Sequence, residues 1–302
     1  ASTAAPSDSW EGRGKTMEVL SRVTYDLETN PDNGEWLSVL EEHSEELTPV
    51  QRRQVQVIRK NYDLTNKIPA EEYVAYNVLL NDAQAVWEKA KNNDDFASFA
   101  PYLEKIVAFN RKFAGYYNPG LAPYDALLNE YEEGLTMETL DAFFAQLRQA
   151  IVPLVAKIQA AEQIDDSFLD QKFPLEKQKE FSKYLMEVLG LDRRYCGIAE
   201  SEHPFTLNFN NKDVRITTHY HEDNFTFSMF SVIHEGGHAI YELGADDCYN
   251  YTALAGGVSM GIHESQSRFY ENIIGRSEAF IHAIFPKVKE LFPEQLEGVS
   301  EE

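Results

Sequence analysis

Along most of the chain apolar residues recur every three or four positions, the spacing of one buried helix face. Thr48, Pro49 and Gln51 read as a capping-box start with Pro at the first helical position, and Val50, Val55 and Ile58 carry the face to Asn61. Further helices are predicted from Pro69 toward Lys91 and from Asp94 to Lys112, followed by a Pro- and Gly-bearing loop from Tyr117 to Tyr124. A long amphipathic helix starts at Thr136, with Leu140, Phe143, Phe144, Leu147, Ile151 and Leu154 on its apolar face and a kink expected at Pro153. Phe173 to Leu189 makes another, stopped by Gly190. The period then changes. Phe205–Phe209 and Val214–Thr218 alternate apolar and polar residues around Asn210, Asn211 and Lys212, which predicts two short strands and a tight turn. Helices are expected again over Asn224–Leu243, Ser259–Ile274 and Glu278–Leu291. With no internal repeat or low-complexity linker, the pattern predicts a mainly α fold with a small β-ribbon. It is one helical domain over 1–302, with a helical region at 1–190 and a chemistry-bearing region at 191–302.

Composition narrows the function. Fifty acidic residues against 27 basic ones give a formal charge of −23, a surface that repels phosphate backbones and anionic membranes, so neither nucleic acid nor membrane is an expected partner. No run of eighteen apolar residues is present, and Ala1–Pro6 carries no apolar signal core. The first residue is not Met, so a processed or partial chain is expected. Cys196 and Cys248 do not make a disulfide framework; reduced thiols in the cytoplasm are the expectation.

The sharpest motif is His234-Glu235-Gly236-Gly237-His238. Histidines four apart share a helix face, so both imidazoles reach one metal ion. Glu235, one residue past the first histidine, is placed to take a proton from a metal-bound water without being a ligand. Phe227, Phe230, His234, His238 and Tyr241 form one stripe, and Gly244 supplies the stop. Two mid-helix glycines cost about 1 kcal/mol each relative to Ala, so Gly236 and Gly237 predict a close approach by another backbone or by substrate. The third ligand is expected from Glu264, 26 residues past His238 and near the start of the next helix, with Glu271 on the same face as its rival.

His203-Pro204-Phe205, Asp213-x-Arg215-x-Thr217, His234-Glu-Gly-Gly-His238 and His263-Glu264-Ser265-Gln266 occur in this order, and together they resemble the carboxypeptidase Taq family of metallocarboxypeptidases over essentially the whole chain. The resemblance implies a helical body with a deep groove, the first 190 residues serving as lid and wall, and a homodimer for the full-length enzyme. It implies zinc, or cobalt, on His234, His238 and Glu264, with Glu235 as general base and acid. It places His203, Asp213, Arg215 and Thr217 near a peptide substrate, from whose C-terminus single residues are released. Two C-terminal family motifs, Ile-Arg-x-x-Ala-Asp and Gly-x-x-Gln-Asp-x-His-Trp, have no counterpart in this sequence, so truncation at both ends is the expectation. An internally cutting oligopeptidase and a catalytically incomplete metal-binding fragment are the alternatives.

Some residues keep two readings. Arg215 either grips a substrate carboxylate or pairs with Asp213 or Glu222 to fix the ribbon. His263 and Glu271 support the ligands, or His263 is an ordinary packing or surface histidine. His219 and His221 are expected to be exposed, with a second metal site as the alternative. The acidic run Glu297–Glu302 reads as a solvated end. The stripe Phe280, Ile281, Ile284, Val288 and Leu291 is expected to lie uncovered.

Overall fold

A computed structural model describes residue 3 and residues 5–301. The chain forms two compact units. The first comprises Thr3–Met137 together with Thr252–Leu254; the second comprises Glu138–Tyr251 and residues 255–301. The change of texture at Gly190 thus falls inside the second unit.

The first unit is a stack of helices: α1 (Trp10–Glu28), α2 (Pro31–Glu42), α3 (Pro49–Asn66), α4 (Ala70–Asn92), α5 (Phe96–Tyr117) and α6 (Pro123–Tyr131). The reciprocal cap at α3 is present in full, with Thr48 accepting from Gln51 N–H and the Gln51 side chain accepting from Thr48 N–H. α1, α2 and α6 lie where the hydrophobic pattern marks no helix. In α1 the reason is physical: its buried residues are Gly14 and Ser21, while Val19, Leu20, Val23 and Leu27 are exposed. It is held to α4 by polar contacts, among them Arg22 to Glu71 at 2.6 Å and Asn81 Nδ2 to the Trp10 carbonyl at 3.2 Å.

The second unit carries α7 (Met137–Ala160), α8 (Leu175–Val188), β1 (Cys196–Glu200), β2 (Thr206–Asn210), β3 (Asp213–Thr218), α9 (Phe225–Leu243), α10 (Met260–Arg268) and α11 (Glu278–Leu291). α7 runs unbroken through Pro153 and buries none of its residues. The β-ribbon expected over 205–218 is β2 paired antiparallel to β3, and a third strand, β1, joins it parallel to β3 in the order β1-β3-β2. β1 is short and carries glycine and alanine near its centre (Cys-Gly-Ile-Ala-Glu), so it shows no alternation and is defined by its partner. α8 and α9 close over this sheet around Phe173, Phe181, Leu185, Val214, Ile216, Val232 and Ile233, all essentially inaccessible.

α9 starts where Asn224 accepts from Phe227 N–H, and α10 where Ser259 accepts from Ile262 N–H. The helix expected to continue to Ile274 widens instead: α10 passes at Phe269 into a π-helical turn, Phe269–Gly275, a form frequent at functional sites. The stripe on α11 is covered, contrary to expectation. Phe280, Ile284, Val288 and Leu291 are at most 9 % exposed. The chain after α11 supplies part of the cover, since Phe292 and Leu296 fold back into the same core, where Phe292 meets Phe173 and Phe225 at ring-centroid distances of 5.1 and 4.8 Å. His219 and His221 are half-buried, their rings tilted against each other with centroids 4.6 Å apart, with His219 Nδ1 2.8 Å from the Ser201 carbonyl, and no metal-ligating group among the described residues includes them. Cys196 and Cys248 are both free; burial pushes the Cys196 thiol up to about 11.

Phe292→Ala is expected to lower the unfolding free energy of the second unit by about 3–5 kcal/mol, the usual cost of emptying a buried aromatic site. Phe143→Ala, on a side chain that is 56 % exposed, should stay within about 0.5 kcal/mol of wild type. Urea unfolding followed by circular dichroism measures both, and equal losses would contradict this assignment of the core.

Candidate metal centre and active site

The site is built where α9 and α10 meet. Both mid-helix glycines of α9 face a neighbour. A Cβ on Gly237 would lie 2.8 Å from both the Gln266 carbonyl oxygen and the Ser267 Cα, backbone atoms that cannot swing aside. A Cβ on Gly236 would meet the Leu189 Cδ1 at 2.6 Å. The predicted close approach is therefore helix against helix, and it brings the first turns of α10 onto the histidine face of α9.

Three donors converge there. Glu264 Oε2 lies 3.6 Å from His234 Nε2 and 3.5 Å from His238 Nε2, and all three atoms fall within 4.8 Å of one another. Metal–ligand bonds of about 2.0–2.2 Å in tetrahedral geometry set donors about 3.3–3.6 Å apart, so the imidazole–carboxylate spacings fit a divalent ion as they stand. The donor chemistry, two nitrogens and one carboxylate oxygen, suits zinc and leaves a fourth position open. Glu264 is held in its charged form. Burial pushes its carboxyl up, but hydrogen bonds from Arg268 at 2.8 Å and Ser267 at 3.0 Å, with the nearby His234 and Arg268 charges, bring it below the usual range.

The far side of each imidazole is occupied. Glu271 Oε2 sits 2.9 Å from His234 Nδ1, and its other oxygen accepts from Arg276 at 2.9 Å. Glu271, the rival for the third position, thus holds a ligand from behind, and the π-helical turn carries it. His238 Nδ1 is 2.6 Å from His263 Nδ1, and His263 Nε2 is 2.6 Å from Glu242 Oε1. Burial first, then the neighbouring His263 and His234, lowers the His238 pKa to about 4, so the ring is neutral at ordinary pH.

Glu235 is 6 % exposed and accepts a 2.6 Å hydrogen bond from the Thr206 hydroxyl, which also reaches the Glu235 carbonyl at 3.1 Å. Burial raises its pKa, opposed by Thr206 and by the adjacent His234 and His203. A carboxyl tuned upward beside a metal-binding face is a group able to take and return a proton. Thr206 and Glu242 belong to the site although no motif in the sequence marks them. Thr206 acts from a strand and Glu242 through a residue of the next helix, contacts that spacing along one helix cannot reveal, and the one available hint is that Glu242 falls one turn beyond His238.

The remaining predicted residues do different work. Thr217 is 2 % exposed, and its hydroxyl joins Ser201 at 2.6 Å and accepts from Phe205 N–H at 2.9 Å; it braces the entry to β2 from inside and offers nothing to a substrate. Arg215 and Asp213 pair with each other through two 2.8 Å bonds, while Glu222 pairs with Lys172, so the ribbon-fixing reading describes Arg215. Arg215 also lies over the Phe209 ring at 4.8 Å. His203 is exposed, its Nδ1 2.6 Å from the Pro204 carbonyl, on the side of the site where Glu235 lies.

The family model described as Carboxypeptidase Taq (M32) metallopeptidase matches residues 1–302. The chain is 41% identical over 299 residues to carboxypeptidase 1 of Bacillus subtilis (strain 168), covering 99% of this chain and 60% of that protein. It is 37% identical over 294 residues to thermostable carboxypeptidase 1 of Pyrococcus furiosus, covering 93% of this chain and 57% of that protein. Among solved structures, the M32 carboxypeptidase from Deinococcus radiodurans R1 superimposes with a TM-score of 0.86 at 37% identity, covering 99% of this chain and 60% of that one. The chain thus spans about three fifths of the length of the relatives it matches. With a helical body, a small sheet and the family match extending from the first residue to the last, the chain belongs to the carboxypeptidase Taq (M32) metallopeptidase family.

Proposed function

We propose that this chain carries the metal centre and proton-transfer group of a zinc-dependent carboxypeptidase that releases single residues from peptide C-termini. The observation that carries the reading is the convergence of His234 Nε2, His238 Nε2 and Glu264 Oε2 within 4.8 Å beside a buried Glu235. The direction of cleavage is supported by the relatives, which are named carboxypeptidases.

His234, His238 and Glu264 would hold the ion, zinc by donor type, with cobalt able to replace it. A divalent ion so held acidifies bound water and polarises a carbonyl oxygen. The chain's own residues supply the rest. Glu235 accepts the proton of the attacking water on its carboxylate and returns it to the departing amine nitrogen, so the peptide C–N bond breaks with no net change in Glu235. Thr206 donates to Glu235 and fixes the carboxylate that receives the proton. Glu271 and His263 orient the two imidazoles. A homodimer follows from the family resemblance, and a reducing, cytoplasmic setting is supported by the unpaired Cys196 and Cys248. No helix is long and apolar enough to cross a membrane among the described residues.

Glu235→Gln should keep metal content and lower turnover by about 10²–10⁴-fold, since the residue moves protons and does not coordinate. His238→Ala should lose the metal and the turnover together. Metal analysis beside steady-state kinetics reads both, and wild-type turnover in Glu235→Gln rejects the general-base assignment. Gly237→Ala should destabilise by about 1–3 kcal/mol through overpacking against the α10 backbone, and should weaken Zn²⁺ binding because α10 carries Glu264. Incubation of the metal-loaded protein with an unblocked peptide should give a ladder shortened one residue at a time from the C-terminus, seen by mass spectrometry. Internal fragments instead would establish an oligopeptidase.

A further inference from the structure

Glu242 lies one helical turn past His238, outside the HExxH motif, yet it is the most enclosed carboxylate around the site at 5 % exposure. Enclosure of a charge is costly unless its oxygens are satisfied, and here both are. Oε1 accepts from His263 Nε2 at 2.6 Å and from Gly257 N–H at 3.1 Å, and Oε2 accepts from Asn208 Nδ2 at 2.8 Å. These partners come from α10, from the loop before it and from β2, so one carboxylate ties three segments to α9. The loop is shaped for this bond. Gly256 has a φ of +87°, and a Cβ on Gly257 would stand 2.4 Å from the His263 ring, so a side chain there would displace the imidazole.

The direction of the hydrogen bonds follows from proton counting. A carboxylate has no proton to give, so His263 Nε2 carries one. A neutral imidazole holds a single N–H, which leaves His263 Nδ1 bare. The 2.6 Å contact between the two Nδ1 atoms then needs its proton on His238. His238 Nε2 is left with a free lone pair, aimed at Glu264 Oε2 3.5 Å away. Glu271 does the same for His234 in a single step, accepting from Nδ1 at 2.9 Å.

We infer that Glu242 is a positioning residue of the metal centre: through His263 it fixes His238 in the tautomer that presents a bare Nε2 to the ion. The inference rests on the metal-site reading above and adds a residue to it. The opposite tautomer, with the proton on His238 Nε2, blocks coordination and requires one more proton in the relay, on His263 or on Glu242.

The test uses the metal-free protein at a pH above the histidine titration range, where long-range nitrogen–proton NMR correlations report the His238 tautomer. Zn²⁺ affinity is taken by competition with a chromogenic chelator, and Co²⁺ absorption reports the ligand field. Wild type should show the Nδ1–H tautomer. Glu242→Ala should lose that preference, bind Zn²⁺ about 10- to 100-fold more weakly and alter the Co²⁺ spectrum. Glu242→Gln keeps an acceptor oxygen for His263 and should recover most of the affinity. On a His263→Phe background, Glu242→Ala should add no further loss, because the intermediary is gone. A purely structural Glu242 would lower the unfolding midpoint and leave tautomer and Zn²⁺ affinity unchanged, and that result overturns the inference. So does an Nε2–H tautomer in wild type. Should Glu242→Ala fail to fold, Glu242→Gln and His263→Phe carry the same readouts. Wild-type protein that takes up no Zn²⁺ overturns the metal reading itself, whereas equal Zn²⁺ binding by wild type and Glu242→Ala overturns only the role of Glu242.

Discussion

The site depends on one steric fact: at Gly237 nothing stands between α9 and the backbone of α10. With side-chain space removed, the Gln266 carbonyl and the Ser267 Cα come to 2.8 Å from where a Cβ would be. Glu264, three residues before Ser267, is thereby delivered to the two imidazoles. One helix-destabilising glycine, at a cost of about 1 kcal/mol, is what allows three donors from two helices to meet, while Gly236 clears space for Leu189. The same closeness buries Ser267 completely, and its hydroxyl turns back onto Glu264, so the helix contact and the ligand contact form together.

Four carboxylates around the histidine pair show how position assigns role to one functional group. Glu264, reached by Arg268 and Ser267, is kept ionised and points at both Nε2 atoms. Glu271, reached by Arg276, faces a nitrogen on the opposite side of His234. Glu242 is tied to the His263 ring, a backbone N–H and a side-chain amide. Glu235 accepts from the Thr206 hydroxyl, but burial outweighs that bond and raises its pKa. Arginine donates to Glu264 and to Glu271, and no arginine or lysine among the described residues donates to Glu235, the carboxylate proposed to exchange a proton.

The histidine helix is legible in the sequence because its information is local: a 3.6-residue period, an Asn cap and a Gly stop all lie in or beside α9. Glu264 is legible for the same reason, near a Ser-capped start. What escapes is tertiary. α1 turns glycine and serine inward and its aliphatic residues outward, the reverse of the rule by which helices are recognised, because polar contacts and close packing on α4 hold it. β1 has no pattern of its own and is fixed by the register of β3. The α11 stripe is legible as buried-type sequence, but its cover comes partly from Phe292 and Leu296, whose return to the core no periodicity announces. Asp213 and Arg215 stand out as a motif, and only the fold shows each occupying the other.

The π-helical turn after α10 makes the length of this segment a determinant in its own right. Glu271 is the seventh residue after Glu264, and the widened turn lets the first face the Nε2 side of His234 while the second takes Nδ1. Removing one residue from Phe269–Gly275 would return this turn toward ordinary α pitch and bring every residue beyond the deletion one position closer to Glu264. Arg276 and the start of α11 would move with it. Substitution at the exposed Ile273 leaves the spacing of Glu264, Glu271 and Arg276 untouched, whereas insertion or deletion changes it, so the segment is constrained in register more strictly than in composition.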